Sequence, residues 1–255
     1  MLCHRILWSA LLCLILLAGR GKLGELVSVL TDRRTLLGLL ASGTCIAINW
    51  GSFIWAVSVG RVLDASLAYY IMPLVMLILG VAFLRERLSL QQCLAIAVMA
   101  VAAGALTVDR GELPWVVVVL PLSFALYGLT RKLVAVDSMV GLTVETLLPV
   151  PLALVYLLTR PEGGALLNAS FDVRALLVAC GPATTLPLLL FGFGARRLPL
   201  GTVGVLQYVN PTMQAVVAVL LLGENLSRLQ VFTFSLIWIG LALYSVPLRR
   251  KAAAG

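Results

Sequence analysis

The chain has 255 residues, of which 61% are hydrophobic and only 12% are charged. Soluble domains contain roughly 45–50% apolar residues, so this composition, with a mean hydropathy of +1.06, excludes an ordinary water-soluble protein. The net charge of +8 would suggest nucleic-acid binding in a soluble protein, but the basic residues fall almost entirely between apolar runs, where they set orientation in a membrane. We therefore predict an all-α, polytopic membrane helical bundle that lies in the lipid bilayer and binds no nucleic acid.

Long apolar runs predict the membrane spans, because an α-helix needs about 20 apolar residues to cross the hydrocarbon core. Nine such runs, each bounded by charged or turn residues, follow in chain order: residues 2–19, 35–59, 65–84, 88–108, 113–130, 138–159, 175–195, 198–222 and 229–247. The connections between them are short, apart from 20–34 and 160–174, and they leave no room for a soluble domain.

Lys and Arg residues in the loops set the direction of these predicted helices. Placing the C-terminal tail in the cytoplasm puts thirteen of the nineteen Lys and Arg residues inside, as the positive-inside rule prefers. The thirteen are Arg20, Lys22, Arg33, Arg34, Arg85, Arg87, Arg131, Lys132, Arg196, Arg197, Arg249, Arg250 and Lys251. Nine spans then put Met1 on the outer side, which predicts a further helix upstream.

A shift of 138 residues brings the two halves of the chain into register. The shift matches Tyr70 to Tyr208, Pro73 to Pro211, Glu86 to Glu224, Leu88 to Leu226, Ser89 to Ser227 and Gln92 to Gln230. These matches predict two related repeats, residues 1–112 with four helices and residues 113–255 with five. The span 113–130 has no counterpart in this chain, so the repeat independently predicts a ten-helix protein whose first helix is missing here.

A repeat of five spans reverses direction in its second copy, which predicts an inverted topology. This architecture recurs in secondary transporters, whose two pseudo-symmetric halves move around a site near the membrane midplane. The step from architecture to transport is an analogy. Pro73 and Pro211 each remove a backbone donor within a span, as in the discontinuous helices of such sites, with a rigid packing kink as the alternative.

Two turns carry matching sequences that predict helix starts. Ser89 with Gln92, and Ser227 with Gln230, fit the S-x-x-Q capping box. We therefore expect the neighbouring Glu86 and Glu224 to stabilise these turns rather than to take part in transport.

Glu145 is the clearest candidate for a functional charge, because it lies about seven residues into the predicted span 138–159 and charges at membrane depth are costly. As a coupling residue it could carry a proton or pair with a substrate cation. The alternative is a structural carboxylate near the cytoplasmic interface, hydrogen-bonded to a neighbouring helix. Arg5, with His4 beside it, could bind an anionic group near the outer mouth or extend to the interface instead.

Polar and aromatic side chains within the spans are the candidates for binding a solute. Several polar residues share one helix face by their spacing: Ser123, Tyr127 and Arg131; Gln207, Asn210 and Gln214; and Asn49 and Ser52. The predicted substrate-binding residues are Asn49, Trp50, Tyr70, Tyr127, Gln207, Tyr208 and Asn210. The alternatives are interhelical hydrogen bonds for the polar residues and packing or interface anchoring for the aromatic ones.

The sequence lacks the short motifs of nucleotide hydrolysis and of metal- or nucleophile-based catalysis. It contains no G-x-x-x-x-G-K-[ST], no H-E-x-x-H, no G-x-S-x-G and no clustered Asp pair. The five cysteines are isolated in apolar runs without a C-x-x-C pair, which predicts buried thiols rather than disulfides or a metal site. We predict no enzyme: no catalytic residue, no cofactor and no metal.

Several segments across nearly the whole chain resemble one known family. They are His4-Arg5 with Trp8-Ser9, Asn49-Trp50, Ile54-Trp55-Ala56-Val57, Gly60-Arg61-Val62-Leu63, Ala65-Ser66-Leu67 with Tyr69-Tyr70, Leu122-Ser123-Phe124 with Tyr127-Gly128, Gly141-Leu142-Thr143 with Glu145-Thr146, Leu206-Gln207-Tyr208 and Asn210-Pro211-Thr212. On these segments the chain resembles the RarD-type branch of the EamA drug/metabolite transporters, a group linked by name to chloramphenicol sensitivity. The resemblance implies a ten-helix permease of the bacterial inner membrane with both termini cytoplasmic, and it carries over no substrate.

The expected function is that of a secondary permease, which moves a small metabolite or drug-like solute by alternating access, with protons at Glu145 as one source of energy. A non-transporting regulator or truncated pseudo-permease is the first alternative. The second is an intramembrane lipid-modifying enzyme that uses Glu145 and His4. The substrate, the direction of transport and the oligomeric state, including a homodimer, stay open at this point.

Overall fold

The structure is a computed structural model that describes residues 2–109, 114–159, 170–222 and 228–253. Every regular element within these ranges is an α-helix. In chain order the helices are α1 (Leu2–Gly19), α2 (Leu23–Thr31), α3 (Arg33–Ser58), α4 (Val62–Leu84), α5 (Leu90–Asp109), α6 (Trp115–Leu133), α7 (Ser138–Leu147), α8 (Val150–Leu158), α9 (Phe171–Arg197), α10 (Leu200–Leu206), α11 (Val209–Leu222) and α12 (Arg228–Ala253).

The predicted fold class, a polytopic helical membrane bundle, is confirmed. Within the described residues, seven helical stretches are long and apolar enough to cross a membrane: Leu2–Gly19, Arg33–Ser58, Asp64–Leu84, Trp115–Leu133, Ser138–Leu158, Phe171–Arg197 and Arg228–Val246. A shorter apolar stretch, Leu90–Ala105, belongs to α5. The exact number of crossings and the internal repeat stay predictions.

Helix α2 lies in the connection 20–34, for which the sequence analysis predicts no helix. With nine residues it extends only about 14 Å, too little to cross the hydrocarbon core. It buries Leu26 and leaves Val27 and Leu30 exposed. A search for runs of 20 apolar residues passes over such an element because of its length.

The predicted span 198–222 is two helices joined by a tight turn, and Pro211 explains why. A proline cannot donate to the carbonyl four residues earlier, which here belongs to Gln207. That carbonyl instead accepts from the N–H of Asn210 at 3.0 Å, within a turn that follows α10. Pro211 is thus the third residue of α11, where a helix needs no internal donor, whereas Pro73 lies inside the continuous α4.

The predicted span 138–159 is interrupted for the same reason. Pro149 has no N–H to offer the carbonyl of Glu145 four residues earlier, and Pro151 has none for the carbonyl of Leu147. Helix α7 ends at Leu147, and α8 begins at Val150. The break therefore follows the candidate coupling residue by less than one turn.

The chain divides into two compact units, each assembled from both halves of the sequence. Unit 1 comprises Met1–Gly51 and Tyr127–Arg197, and within it α1 packs against α7, α8 and α9. Unit 2 comprises Ser52–Leu126 and Leu198–Gly255, and within it α5 packs against α12 and α4 packs against α10.

Glycines allow close helix contacts inside each unit. In unit 1, a Cβ on Gly181 of α9 would lie 2.8 Å from the Cβ of Trp8 on α1. In unit 2, a Cβ on Gly204 of α10 would lie 2.9 Å from the carbonyl oxygen of Pro73 on α4. Small residues at such crossings are the usual means of close packing between helices in a membrane.

One of the two predicted capping boxes is confirmed. The Ser89 N–H donates to Oε1 of Gln92 at 3.0 Å, and the Gln92 N–H donates to Oγ of Ser89 at 3.2 Å. Ser227 and Glu224 of the second box lie outside the described residues. The carboxylate of Glu86 accepts from the N–H groups of Leu200 and Gly201 at the start of α10, and its predicted role in its own turn stays a prediction.

Candidate functional site

A buried ion pair between Arg131 and Glu145 is the centre of the candidate site in unit 1. Nη1 of Arg131 lies 3.4 Å from Oε1 of Glu145, and the two side chains are 2% and 0% exposed. Arg131 is the largest of the fully buried side chains. Removing one partner of such a pair would leave an uncompensated buried charge, which typically costs about 3–5 kcal/mol.

Two neighbouring helices place hydrogen-bond donors around the Glu145 carboxylate. Helix α3 contributes Ser42, whose hydroxyl donates to Oε1, and α6 contributes Tyr127, whose hydroxyl donates to Oε2 at 3.4 Å. Tyr127 and Arg131 are four residues apart, so both project from one face of α6. The Glu145 carboxylate therefore has three donors from two helices other than its own.

The Arg131 guanidinium is held between α7 and α9. Its Nη2 donates to the carbonyl oxygen of Ser138 at 3.0 Å. A Cβ on Gly141 would lie 1.9 Å from Nη1, and a Cβ on Gly192 would lie 3.3 Å from Nη2. The guanidinium fits at this depth because both neighbouring positions lack a side chain.

This burial changes two expectations from the sequence. Arg131 was counted among the cytoplasmic loop residues, but it lies inside α6 and is almost fully buried, so it serves as an ionic partner rather than a loop charge. Glu145 has a protein cation as its partner, so a substrate cation would have to compete with Arg131 for it. Both the coupling role and the structural role of Glu145 stay open.

Unit 1 also contains several buried polar atoms without a hydrogen-bond partner. Among the described residues they are Nε2 of His4, Nε1 of Trp8, Nε of Arg131, Oγ of Ser138 and Oγ1 of Thr185. Buried polar atoms are nearly always paired in folded proteins, by protein groups or by ordered water. Their accumulation in one unit fits an interior that accepts water or a polar solute.

Arg5 has partners inside unit 1 and does not simply extend to the interface. Its Nε donates to Oγ1 of Thr184 at 2.7 Å, and its guanidinium carbon lies 4.4 Å from the centre of the Trp50 ring. This geometry is that of a cation–π contact. Trp50 and the adjacent Asn49 are both buried, so these two predicted binding residues lie with Arg5 in unit 1.

The other predicted binding residues lie in unit 2. Tyr208 is fully buried, and its hydroxyl donates to the backbone carbonyl of Tyr70 at 3.1 Å. Gln207 precedes Tyr208 in the turn between α10 and α11, Asn210 is the second residue of α11, and both are partly buried. The predicted set thus divides between the units: Asn49, Trp50, Tyr127 and Glu145 in unit 1, and Tyr70, Gln207, Tyr208 and Asn210 in unit 2.

The predicted site residues did not include Ser42, and they left out Arg131 although it was placed on a polar helix face. The signal for Arg131 was present, because it shares a helix face with Tyr127, but its position next to Lys132 at the end of an apolar run is typical of a loop. Ser42 gave no signal, since serines are common in membrane helices and pack against many partners. Within the described residues, no group of three His, Cys, Asp or Glu side chains is placed to hold a metal ion.

Asp137 supports the site from just outside the membrane-spanning segment. It is the N-cap of α7, and its carboxylate accepts from the N–H of Met139 at 2.9 Å and from that of Val140 at 3.4 Å. The Lys22 ammonium lies 3.4 Å away. Burial would raise the pKa of this carboxyl, but the two N–H groups and Lys22 outweigh burial and hold the pKa below its usual value.

Comparison with known proteins places the chain among bacterial transporters. Residues 1–108 match the EamA-like transporter family. An uncharacterized transporter of Pseudomonas aeruginosa is 42% identical over 244 residues, which cover 95% of this chain and 82% of the relative. The protein RarD of Escherichia coli is 35% identical over 245 residues, which cover 95% of this chain and 83% of the relative.

A further relative supports this result, and a solved structure shares the fold. The chloramphenicol-sensitive protein RarD of Pseudomonas aeruginosa is 32% identical over 260 residues, which cover 98% of this chain and 86% of the relative. A protein of known crystal structure superposes with a TM-score of 0.72 over 97% of this chain and 88% of its own length, at 18% identity. At that identity the superposition bears on the fold alone.

Proposed function

The chain belongs to the RarD-type branch of the EamA-like transporter family and is a multi-pass membrane transporter, and we propose that it is a secondary permease for a small metabolite or drug-like solute. It works by alternating access, is energised by a proton gradient and carries the coupling proton on Glu145. The bacterial inner membrane is its location, with the C-terminus in the cytoplasm.

The buried Arg131–Glu145 pair is the observation that carries this proposal. An ion pair that only stabilised the bundle could be replaced, both residues together, by hydrophobic side chains with little loss, because desolvation of a buried ion pair often cancels its attraction. Ionisable groups at membrane depth instead tend to mark ion or proton pathways. Glu145 also lies just before the two-residue turn, Leu148 and Pro149, that separates α7 from α8.

Alternating access is supported by the inverted repeat predicted from the sequence. In transporters of that architecture two related bundles rock around a site near the midplane. The substrate-binding residues that we propose are those predicted from the sequence, in two groups: Asn49, Trp50 and Tyr127 in unit 1, and Tyr70, Gln207, Tyr208 and Asn210 in unit 2. Family membership supports a transporter rather than an enzyme.

Transport in proteoliposomes tests the proposal. The purified protein is reconstituted with a panel of metabolites, and flux is measured with and without an imposed proton gradient. We expect at least one solute to accumulate against its gradient only when the proton gradient is present. No movement of any solute would contradict the proposal and favour a non-transporting pseudo-permease.

The variant Glu145→Gln tests the coupling role of Glu145 separately from its structural role. This variant should lose proton-driven accumulation but keep exchange of labelled for unlabelled solute, because exchange does not require net proton movement. The matched control is Glu25→Gln, which makes the same substitution at an exposed carboxylate of α2 in the same unit. Full proton-driven accumulation by Glu145→Gln would remove Glu145 as the coupling residue.

A further inference from the structure

The hydrogen bonding of the Arg131–Glu145 pair is unequal on its two sides. Glu145 has three donors for two oxygens, from Ser42, Tyr127 and Arg131. Among the described residues, Arg131 contacts one anionic group, the Glu145 carboxylate, whose Oε1 lies 3.4 Å from Nη1. Its buried Nε has no hydrogen-bond partner among these residues. The carboxylate is thus well satisfied, whereas the guanidinium retains capacity for another acceptor.

The surroundings of Arg131 offer donors rather than acceptors for a ligand. Besides the unpaired Nε, the hydroxyl of Ser138 is buried and has no partner among the described residues. Gly192 faces both groups, since a Cβ there would lie 3.3 Å from Nη2 of Arg131 and 3.4 Å from Oγ of Ser138. A guanidinium and a hydroxyl with spare N–H and O–H groups suit a carboxylate, which a guanidinium can bind through two parallel hydrogen bonds.

We propose that Arg131 is the substrate-binding cation of this permease and that Glu145 occupies, in this structure, the position that the carboxylate of an anionic substrate takes during transport. This proposal rests on the proposed function and names its substrate class, a small organic acid. Arg131 cannot leave its counter-ion at this depth without replacing it, because an unpaired buried charge is strongly unfavourable. Substrate therefore binds when Glu145 is neutral.

Few ionisable side chains interact with Glu145 in the described part of unit 1. Arg131 and Tyr127 face it from α6, and Cys13 faces it from α1. Arg131 is the cation among them. A proton on Glu145 therefore leaves Arg131 without an anionic partner from this group, and the carboxylate of the substrate fills that role. One site thus accounts for both the coupling proton and the substrate charge.

Binding of acetate to Glu145→Ala is the first test, because this variant removes the internal carboxylate and leaves space for a small one. The probe is sodium acetate, with acetamide as its neutral counterpart, and the readout is the thermal midpoint of unfolding in detergent. We expect acetate to raise the midpoint of Glu145→Ala in a concentration-dependent way, with no such rise for acetamide. The double variant Arg131→Gln/Glu145→Ala should not respond to acetate.

An equal response of the single and double variants, or no response of a folded Glu145→Ala, would overturn the proposal. Transport by variants that keep Glu145 provides the second test, whether or not Glu145→Ala folds. Pairs of solutes that differ only as carboxylate and primary amide are compared in proteoliposomes. We expect the wild type to move the carboxylate of a pair, and Arg131→Lys to raise its KM more than it lowers its kcat.

Failure of this inference can be told apart from failure of the proposed function. Transport of amides as fast as carboxylates would overturn the substrate class and leave the permease in place. Acetate binding through Arg131 without transport of any solute would contradict the proposed permease function and support the anion-binding site. An equal loss of amide and carboxylate flux in Arg131→Lys would indicate a structural role for Arg131 and contradict the proposal.

Discussion

Gly141 is the residue that lets a guanidinium lie inside unit 1. A Cβ at this position would fall 1.9 Å from Nη1 of Arg131, so Gly141→Ala must push the guanidinium away from Glu145. We expect a loss of about 1–3 kcal/mol, as for other insertions into a packed core, together with reduced transport. The thermal midpoint in detergent and the flux in proteoliposomes measure the two effects.

Gly194 provides the matched control for that substitution. It lies in α9 of the same unit, and an added Cβ would meet nothing within 4 Å. Because alanine favours a helix over glycine by about 0.5–1 kcal/mol, Gly194→Ala should leave the thermal midpoint unchanged or raise it. Equal destabilisation by the two alanines would show that the contact with Arg131 is not the cause.

Asp137 gives unit 1 a dependence on pH that can be measured outside the membrane-spanning segments. Since its pKa is lower in the folded protein than in the unfolded chain, its contribution is fully present above about pH 4 and is lost as the pH falls through the folded pKa. We expect the thermal midpoint of the wild type to fall more steeply on acidification than that of Asp137→Asn.

Asparagine is the informative replacement because it keeps the capping geometry and removes the charge. Asn is as good an N-cap residue as Asp, so Asp137→Asn should stay close to the wild type below the folded pKa of Asp137. At neutral pH it lacks only the contact with Lys22 and the charge at the helix N-terminus, worth roughly 0.3–1 kcal/mol. Parallel acid profiles for the two proteins would contradict the assignment.

The composition of the site could be predicted from the sequence only in part. Glu145 was found because a carboxylate within an apolar run is costly, and Tyr127 because it falls on a polar helix face. Their contact joins residues 18 positions apart on two helices, and the contact of Glu145 with Ser42 spans 103 positions. Helical periodicity gives the face of a residue on its own helix, but it does not give the partner on another.

At the scale of single helices, the close approach of α10 to α4 depends on Gly204. An added Cβ would lie 2.9 Å from the carbonyl oxygen of Pro73, a backbone atom that cannot rotate away. We expect Gly204→Ala to cost about 1–3 kcal/mol and to lower the thermal midpoint in detergent. Gly104→Ala on α5 is the control in the same unit, since nothing lies within 4 Å of its added Cβ. A midpoint for Gly204→Ala as high as that of the control would mean that α10 can move away from α4.

The limits of helix prediction follow from the same physics. The length of the apolar runs predicted uninterrupted helices, such as α1 and α3, to within two residues at each end. It joined α7 to α8 and α10 to α11, because a break of two residues barely changes mean hydropathy. A proline lies at each break, and the missing N–H of Pro149 and of Pro211 explains why the helix ends there. The sequence does not show where the next helix begins, so the prolines alone did not predict the two breaks.

At the scale of the whole molecule, the two compact units cut across the two predicted repeats. Unit 1 takes α1 from the first half of the sequence and α7 to α9 from the second, and unit 2 is likewise assembled from both halves. The predicted repeats are defined by segments of similar sequence, whereas the compact units are defined by segments that pack together. Helices α5 and α12, which the predicted repeat matches to each other, pack together in unit 2, and such pairing gives a unit drawn from both halves. The domain boundaries predicted from the repeat are therefore a separate proposal.

The Lys and Arg residues of the loops predict the orientation of the chain in the membrane, with the C-terminus in the cytoplasm. A C-terminal green fluorescent protein should fluoresce, and a C-terminal alkaline phosphatase should be inactive, because the phosphatase needs disulfides that form outside the cytoplasm. Fusions truncated after Gly60, in a loop predicted to be outside, should give the opposite pair of results. Because Arg131 is buried and paired with Glu145, we expect Arg131→Gln to leave this pattern unchanged, whereas neutralising the loop charges Arg85 and Arg87 should weaken it. An active phosphatase at the C-terminus would invert the topology and place the Glu145 end of α7 toward the opposite side of the membrane.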